Sequence, residues 1–182
     1  YTYFTWRNTR WEFEQYLKEL TQTEMREYYR PNFWPNTPDI LPQSLQHKGE
    51  PAFIARAILA GTLSASYGIY APVFEFGYNT PHPLREEYID NEKYEIKYWD
   101  WEQPTRIRYF LTELNRIRKE NPALQTTWNI HFAECDNDNL LVYGKIDDAG
   151  TNPMIIAVNL DSFFTQGAWV KLPLQELGID PG

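Results

Sequence analysis

Apolar and polar positions repeat along this chain with two different periods. Phe13, Tyr16, Leu17 and Leu20 follow one another at steps of three, one and three, which places them on one face of a helix expected over residues 10–27. In front of them Thr9-Arg10-Trp11-Glu12 has the form of a capping box, with a hydroxyl for an orphan helical N–H and a carboxylate three residues on to reach back. Helical spacing returns at Ile107, Phe110, Leu111, Leu114 and Ile117 and predicts a helix over 105–120. Arg116, Arg118 and Lys119 fall in its last turns, where the helix dipole favours positive charge, and Asn121-Pro122 stops it. Residues 51–65 are apolar nearly all round, with Arg56 the only charge, so the helix expected there is covered on more than one side. Residues 1–7, 28–34 and 66–70 are rich in Tyr, Phe, Thr and Trp and read as strands. The order strand, helix, strand, helix, strand points to parallel strands joined by helical crossovers.

Beyond Gln125 the period shortens. Residues 128–133, 140–146, 154–160 and 168–172 read as four short strands. Turn signals separate them at Asp136-Asn137-Asp138-Asn139, at Asp147-Asp148-Ala149-Gly150 and around Gly167. This is the pattern of an antiparallel unit, part of a sandwich. The fold expected is therefore α/β plus all-β, with the change of style near 121–127.

Composition narrows the function classes. The net charge of −8 argues against nucleic acid, whose phosphates need a basic surface. One cysteine, Cys135, permits no intramolecular disulfide and fits a reducing compartment. No apolar run approaches the roughly 18 residues of a membrane span. Aromatic residues make up 16% of the chain, which calls for either a large core or a surface that uses flat faces, as sugar sites do. The opening Tyr-Thr-Tyr-Phe-Thr-Trp reads as the middle of a strand and so as part of a longer protein.

Candidate chemistry concentrates in two stretches. The run from Tyr28 to Leu41 is aromatic and proline-rich, then breaks at Pro35-Asn36-Thr37-Pro38-Asp39, as a buried strand entering a loop would. Asn36 and Asp39 admit two readings there: turn formers, or site residues on a loop following a parallel strand. Residues 74–104 interleave acids with Tyr78, Tyr88, Tyr94, Tyr98, Trp99 and Trp101, too aromatic for a disordered linker, and read as a structured excursion over strand ends or as a packed surface loop. His47 has no partner near in sequence and reads as a solvated loop residue. Asp136 and Asp138 lack the glycine and distal glutamate of an EF-hand, so the turn reading is preferred and no metal site is expected.

Five stretches carry a family resemblance: residues 30–41, Pro51-Ala-Phe-Ile-Ala-Arg56, Ser66-Tyr-Gly-Ile-Tyr70, Glu92-Lys-Tyr-Glu95 and residues 115–124. The chain resembles the α-amylase superfamily, glycoside hydrolase family 13, over residues 1 to about 160, and within it the bacterial maltosyltransferases that use α-maltose 1-phosphate. Amylases in general carry Asn-His-Asp at the matching strand end; Asn36-Thr37-Pro38-Asp39 departs from that pattern as the maltosyltransferases do. The resemblance implies the C-terminal part of a TIM (β/α)8 barrel over 1–122 and an incomplete antiparallel β-sandwich over 123–182. It implies transfer of maltosyl from α-maltose 1-phosphate to the non-reducing end of α-1,4-glucan by a retaining mechanism, without cofactor, in a cytoplasmic bacterial homodimer. Asp39 falls on the third carboxylate, which accepts hydrogen bonds from sugar hydroxyls and stabilises the transition state. Asn36 shapes that pocket, and Lys93 and Tyr94 match a pair lining the donor site. The nucleophile and the acid/base have no counterpart in this sequence, so the chain alone is expected to be inactive. The rival readings are an amylase-like hydrolase, a trehalose-synthase-like isomerase, and a non-catalytic α-glucan-binding module.

Overall fold

The computed structural model describes residues 2–89 and 95–180. Lys93 and Tyr94 lie outside the described residues. Helix α1 (Arg10–Gln22) begins as expected. Thr9 Oγ1 accepts from the Glu12 N–H, while the Glu12 carboxylate accepts from the N–H groups of Asn8 and Thr9, both at 2.9 Å. Its buried face is Phe13, Tyr16, Leu17 and Leu20. It stops short of residue 27. The Thr23 hydroxyl turns back to donate to Glu19 O at 2.6 Å and accepts from the Met25 N–H, competing with the helical ladder. A single further turn, α2 (Met25–Tyr28), follows.

The strand expected at 1–7 is instead a 3-10 turn over Tyr3–Trp6. Side chains elsewhere in the chain override its β-propensity. Thr5 Oγ1 donates to Trp34 O at 2.7 Å, and Arg56 gathers the carbonyls of Phe4, Thr5 and Arg7. The strands expected at 28–34 and 66–70 shrink to β1 (Asn32–Phe33) and β2 (Ser66–Tyr67). They pair in parallel, Asn32 beside Ser66 and Phe33 beside Tyr67, and the crossover between them carries α3 (Glu50–Leu63).

Helix α3 is the centre of the molecule, which is why its sequence is apolar on all sides. Leu59, Ala60 and Leu63 join a core with Phe4, Phe13, Leu17 and Phe33. Ala52, Phe53 and Ala57 join a second core with Leu41, Phe74 and Tyr88. Helix α4 (Arg106–Glu120) buries Ile107, Leu111 and Leu114 against α3, and Phe110 and Ile117 border that stripe half-buried. The helices approach closely at Gly61, where an added Cβ would lie 2.9 Å from Leu114 Cδ2.

After a second 3-10 turn (Pro122–Gln125) the chain forms β3 (Ile130–Phe132), β4 (Glu134–Cys135), β5 (Leu140–Lys145), β6 (Met154–Asn159) and β7 (Val170–Lys171). All pairings here are antiparallel, in the order β3-β5-β6 for one sheet and β4-β7 for the other. The four expected strands are thus present as β3, β5, β6 and β7, and β4 lies beyond the expected 128–133 as an additional strand. Ile130, Leu141, Tyr143 and Val158 pack into the same core as α1 and α3, so apolar contact is continuous across residues 122 and 123. The described residues form a mixed helix and sheet architecture with antiparallel sheets.

Candidate functional site

The stretch after β1 is a tight turn. Thr37 and Ile40 exchange backbone hydrogen bonds, Thr37 N–H to Ile40 O at 3.1 Å and Ile40 N–H to Thr37 O at 3.2 Å, which leaves Pro38 and Asp39 at the tip. Asp39 is exposed, and its N–H donates to Thr37 Oγ1 at 3.3 Å. The turn reading of this segment holds, and Asp39 is exposed at its tip.

Asn36 has the opposite environment. It is 0% exposed. Its Oδ1 accepts from the Tyr70 N–H at 2.9 Å, and its Nδ2 donates to Tyr70 O at 3.2 Å and to the Tyr88 hydroxyl at 2.8 Å. The side-chain amide pairs with both backbone groups of Tyr70, continuing by side chain the ladder that β1 and β2 form by main chain. A buried amide needs such partners, because each polar group left unpaired costs roughly 1–3 kcal/mol. Asn36 thus sets where the turn sits, and its own polar atoms face inward.

The excursion expected at 74–104 folds over this turn. Leu41 N–H donates to Glu86 O at 2.8 Å, and Trp6 Nε1–H donates to the Glu86 carboxylate at 3.2 Å. The segment doubles back on itself through His82 N–H to Glu87 O and Ile89 N–H to Thr80 O. Its rings form a chain of contacts that starts at the Asn36 knot: Tyr70 on Tyr88, Tyr88 on Tyr78, Tyr78 on Trp99, Trp99 on Phe76, and Phe76 on Trp101, with centroids 5.1–6.2 Å apart. Cations cover its outer part, Lys97 over Tyr78 and Arg108 over Phe76 and Trp101. Burial pushes the Tyr88 phenol well above the ordinary tyrosine range, so it stays neutral and serves as the acceptor for the Asn36 amide. Tyr70, Tyr88 and Glu86 were not legible as neighbours of Asp39, because their hydrogen bonds to this turn span 34, 52 and 45 residues of sequence. Among the described residues no group of three His, Cys, Asp or Glu side chains is placed to hold a metal. His47 is exposed in its loop, in the left-handed region at φ 56°. Asp136 accepts from the Trp169 N–H through its carboxylate and donates its own N–H to Trp169 O, which extends the β4–β7 pairing by one residue.

Residues 132–182 match the family model described as GLGE, C-terminal. Over 98% of its length the chain is 51% identical to the α-1,4-glucan:maltose-1-phosphate maltosyltransferase of Chlorobaculum tepidum. It is 48% identical over its whole length to the protein of that name from Methylacidiphilum infernorum. It is 47% identical to that from Salinibacter ruber. Over nearly its whole length the chain is similar to part of these maltosyltransferases. It covers 27–28% of the length of these relatives. The hydrolase and isomerase readings are disfavoured, since these relatives are named as maltosyltransferases at close to half identity. No helix among the described residues is long and apolar enough to cross a membrane.

Proposed function

We propose that this chain contributes one wall of the site at which a maltosyltransferase moves maltosyl from α-maltose 1-phosphate to the non-reducing end of α-1,4-glucan. The observation that carries the reading is the exposed Asp39 carboxylate on a turn fixed from within by Asn36, at the C-terminal end of a parallel strand. The parallel pair with its α3 crossover is the unit from which a TIM barrel is built, and barrel chemistry sits on loops at that end of the strands. The division into a barrel portion over 1–122 and a β-sandwich portion over 123–182 follows the same reading.

In this mechanism Asp39 accepts hydrogen bonds from the 2- and 3-hydroxyls of the reacting sugar, bonds that strengthen as positive charge develops on the ring. Asn36 holds the turn in register. Lys93 and Tyr94 line the donor pocket, next in sequence to the aromatic chain from Tyr88 to Trp99. The nucleophile and the acid/base come from residues outside this sequence, on other barrel strands, about 5 Å apart as retention requires. The resemblance extends to a cytoplasmic bacterial homodimer.

Asp39→Asn in the full-length enzyme tests the reading. Acceptor-dependent phosphate release from α-maltose 1-phosphate should fall about 10²- to 10³-fold with an unchanged melting curve. Full activity in that variant would remove Asp39 from the site.

A further inference from the structure

The Asp39 turn stands on two feet, and one short span of the chain holds both. On the entering side Asn36 Nδ2 donates to the Tyr88 hydroxyl at 2.8 Å. On the leaving side Leu41 N–H donates to Glu86 O at 2.8 Å. Between the feet Thr37 and Ile40 close the turn on each other, so the placing of Asn36 and Leu41 fixes where the tip at Asp39 lies.

The span is itself held firmly. Tyr88 is only 3% exposed and lies in the same core as Leu41, Phe53 and Phe74. Its main chain bridges to Pro81, and on either side His82 N–H donates to Glu87 O at 2.7 Å and Ile89 N–H to Thr80 O at 3.0 Å. Its ring meets Tyr70 edge-on at 6.0 Å and stacks on Tyr78 at 6.2 Å. Glu86 adds a further tie by accepting from Trp6 Nε1–H at 3.2 Å.

Burying a hydroxyl is costly unless it forms a hydrogen bond, and that of Tyr88 bonds to Asn36. The Asn36 amide does not need it for satisfaction, because Nδ2 also donates to Tyr70 O at 3.2 Å. What the hydroxyl adds is direction: it ties the amide to the span that carries Glu86.

We propose that Tyr88 is a positioning residue for Asp39. Together with the Glu86 carbonyl it clamps both feet of the turn, so the reach of the carboxylate toward the sugar is set from residues 86 to 88. The inference rests on the role of Asp39 proposed above, and its test separates the two.

In the full-length enzyme, acceptor-dependent phosphate release from α-maltose 1-phosphate is measured for Tyr88→Phe, Asp39→Asn and the double variant. Tyr88→Phe keeps both ring contacts and leaves Asn36 Nδ2 bonded to Tyr70 O, so no buried donor is orphaned and the melting midpoint should move by no more than about 3 °C. Its kcat, read per folded enzyme, should fall about tenfold at nearly constant KM, because a displaced carboxylate loses bonds made chiefly in the transition state. In the Asp39→Asn background the same change should lower kcat by less than about twofold, since Tyr88 acts through the carboxylate. An unchanged kcat in Tyr88→Phe, whatever the melting midpoint, beside an impaired Asp39→Asn overturns the clamp and leaves Asp39 in the site. Equal losses in both backgrounds also overturn it, because Tyr88 then acts by another route. Full activity in Asp39→Asn removes the reading beneath the proposal, and the proposal with it.

Discussion

In the N-terminal half of α3 the Arg56 guanidinium gathers the carbonyls of Phe4, Thr5 and Arg7 and lies 4.5 Å from the Phe4 ring centroid and 5.5 Å from that of Phe13. At the C-terminal end Lys145, 0% exposed, donates to Thr62 O at 2.9 Å and Thr126 O at 2.6 Å. Arg118 reaches from α4 to Gly61, Ser64 and Ala65 of the same end. Among the described residues neither buried cation forms an ion pair with a carboxylate. Burial pushes both down: Arg56 with Glu12 acting against the shift, Lys145 to about 7 with Arg118 adding repulsion. The outcomes differ because a guanidinium spreads its charge over a planar fork and two ring faces, whereas an ammonium is a compact charge that loses its proton when desolvated. One end of α3 is therefore held by a permanent charge and the other by a group that titrates near neutrality.

The largest effect expected is from Arg56→Ala, which strands three carbonyls and removes their shared donor. Urea unfolding should show a loss of roughly 3–5 kcal/mol. A loss under about 1 kcal/mol would mean that water replaces the guanidinium at no cost. Arg56→Lys should recover only part of the loss, since an ammonium cannot reproduce the fork.

The C-terminal end is probed by pH. The folded pKa of Lys145 lies below its unfolded value, so over that interval the unfolded chain binds more protons and stability rises with pH. Its contribution is complete above about pH 10.5, falls as pH drops toward 7, and changes little below. The buried tyrosines Tyr16, Tyr88 and Tyr143 act in the opposite sense, but only above about pH 10. Between about pH 7 and 9.5 stability should climb by on the order of 2 kcal/mol, and Lys145→Met should flatten that climb. An equal slope in both proteins would sink the assignment. Tyr143→Phe removes the 2.5 Å hydrogen bond to the Thr62 hydroxyl at the same end and should cost about 1 kcal/mol by urea titration. Asp39→Asn, on an exposed turn tip remote from both ends in sequence, should change stability by no more than about 0.5 kcal/mol. A larger loss would make the carboxylate part of the framework rather than of a site.

Local rules explain what could be read from the chain. The Thr9–Glu12 capping box, the Thr105 cap of α4, the stripe of Ile107, Leu111 and Leu114, and the antiparallel strands after residue 129 all depend on residues within a few positions of one another. The expectation for residues 1–7 failed because Thr5 and Arg56, through partners 29 to 52 residues distant, stabilise a 3-10 turn that the local β-propensity opposes. Arg118 looked like a dipole partner for its own helix, yet it serves the end of α3. At the site, Asp39 was legible as a carboxylate in a turn sequence. That Asn36 is a buried strut was not, because its three partners are Tyr70 backbone groups and a Tyr88 hydroxyl.

The sequence by itself determined the periodic elements, their order, the caps and the family resemblance, since each is written in neighbouring residues or in the identity of a whole stretch. Tertiary structure alone decided which polar groups are buried and what satisfies them. Asn36, Arg56 and Lys145 are ordinary polar residues in sequence. Their roles arise when distant segments remove them from water and leave each to find its hydrogen bonds in whatever the fold brings near.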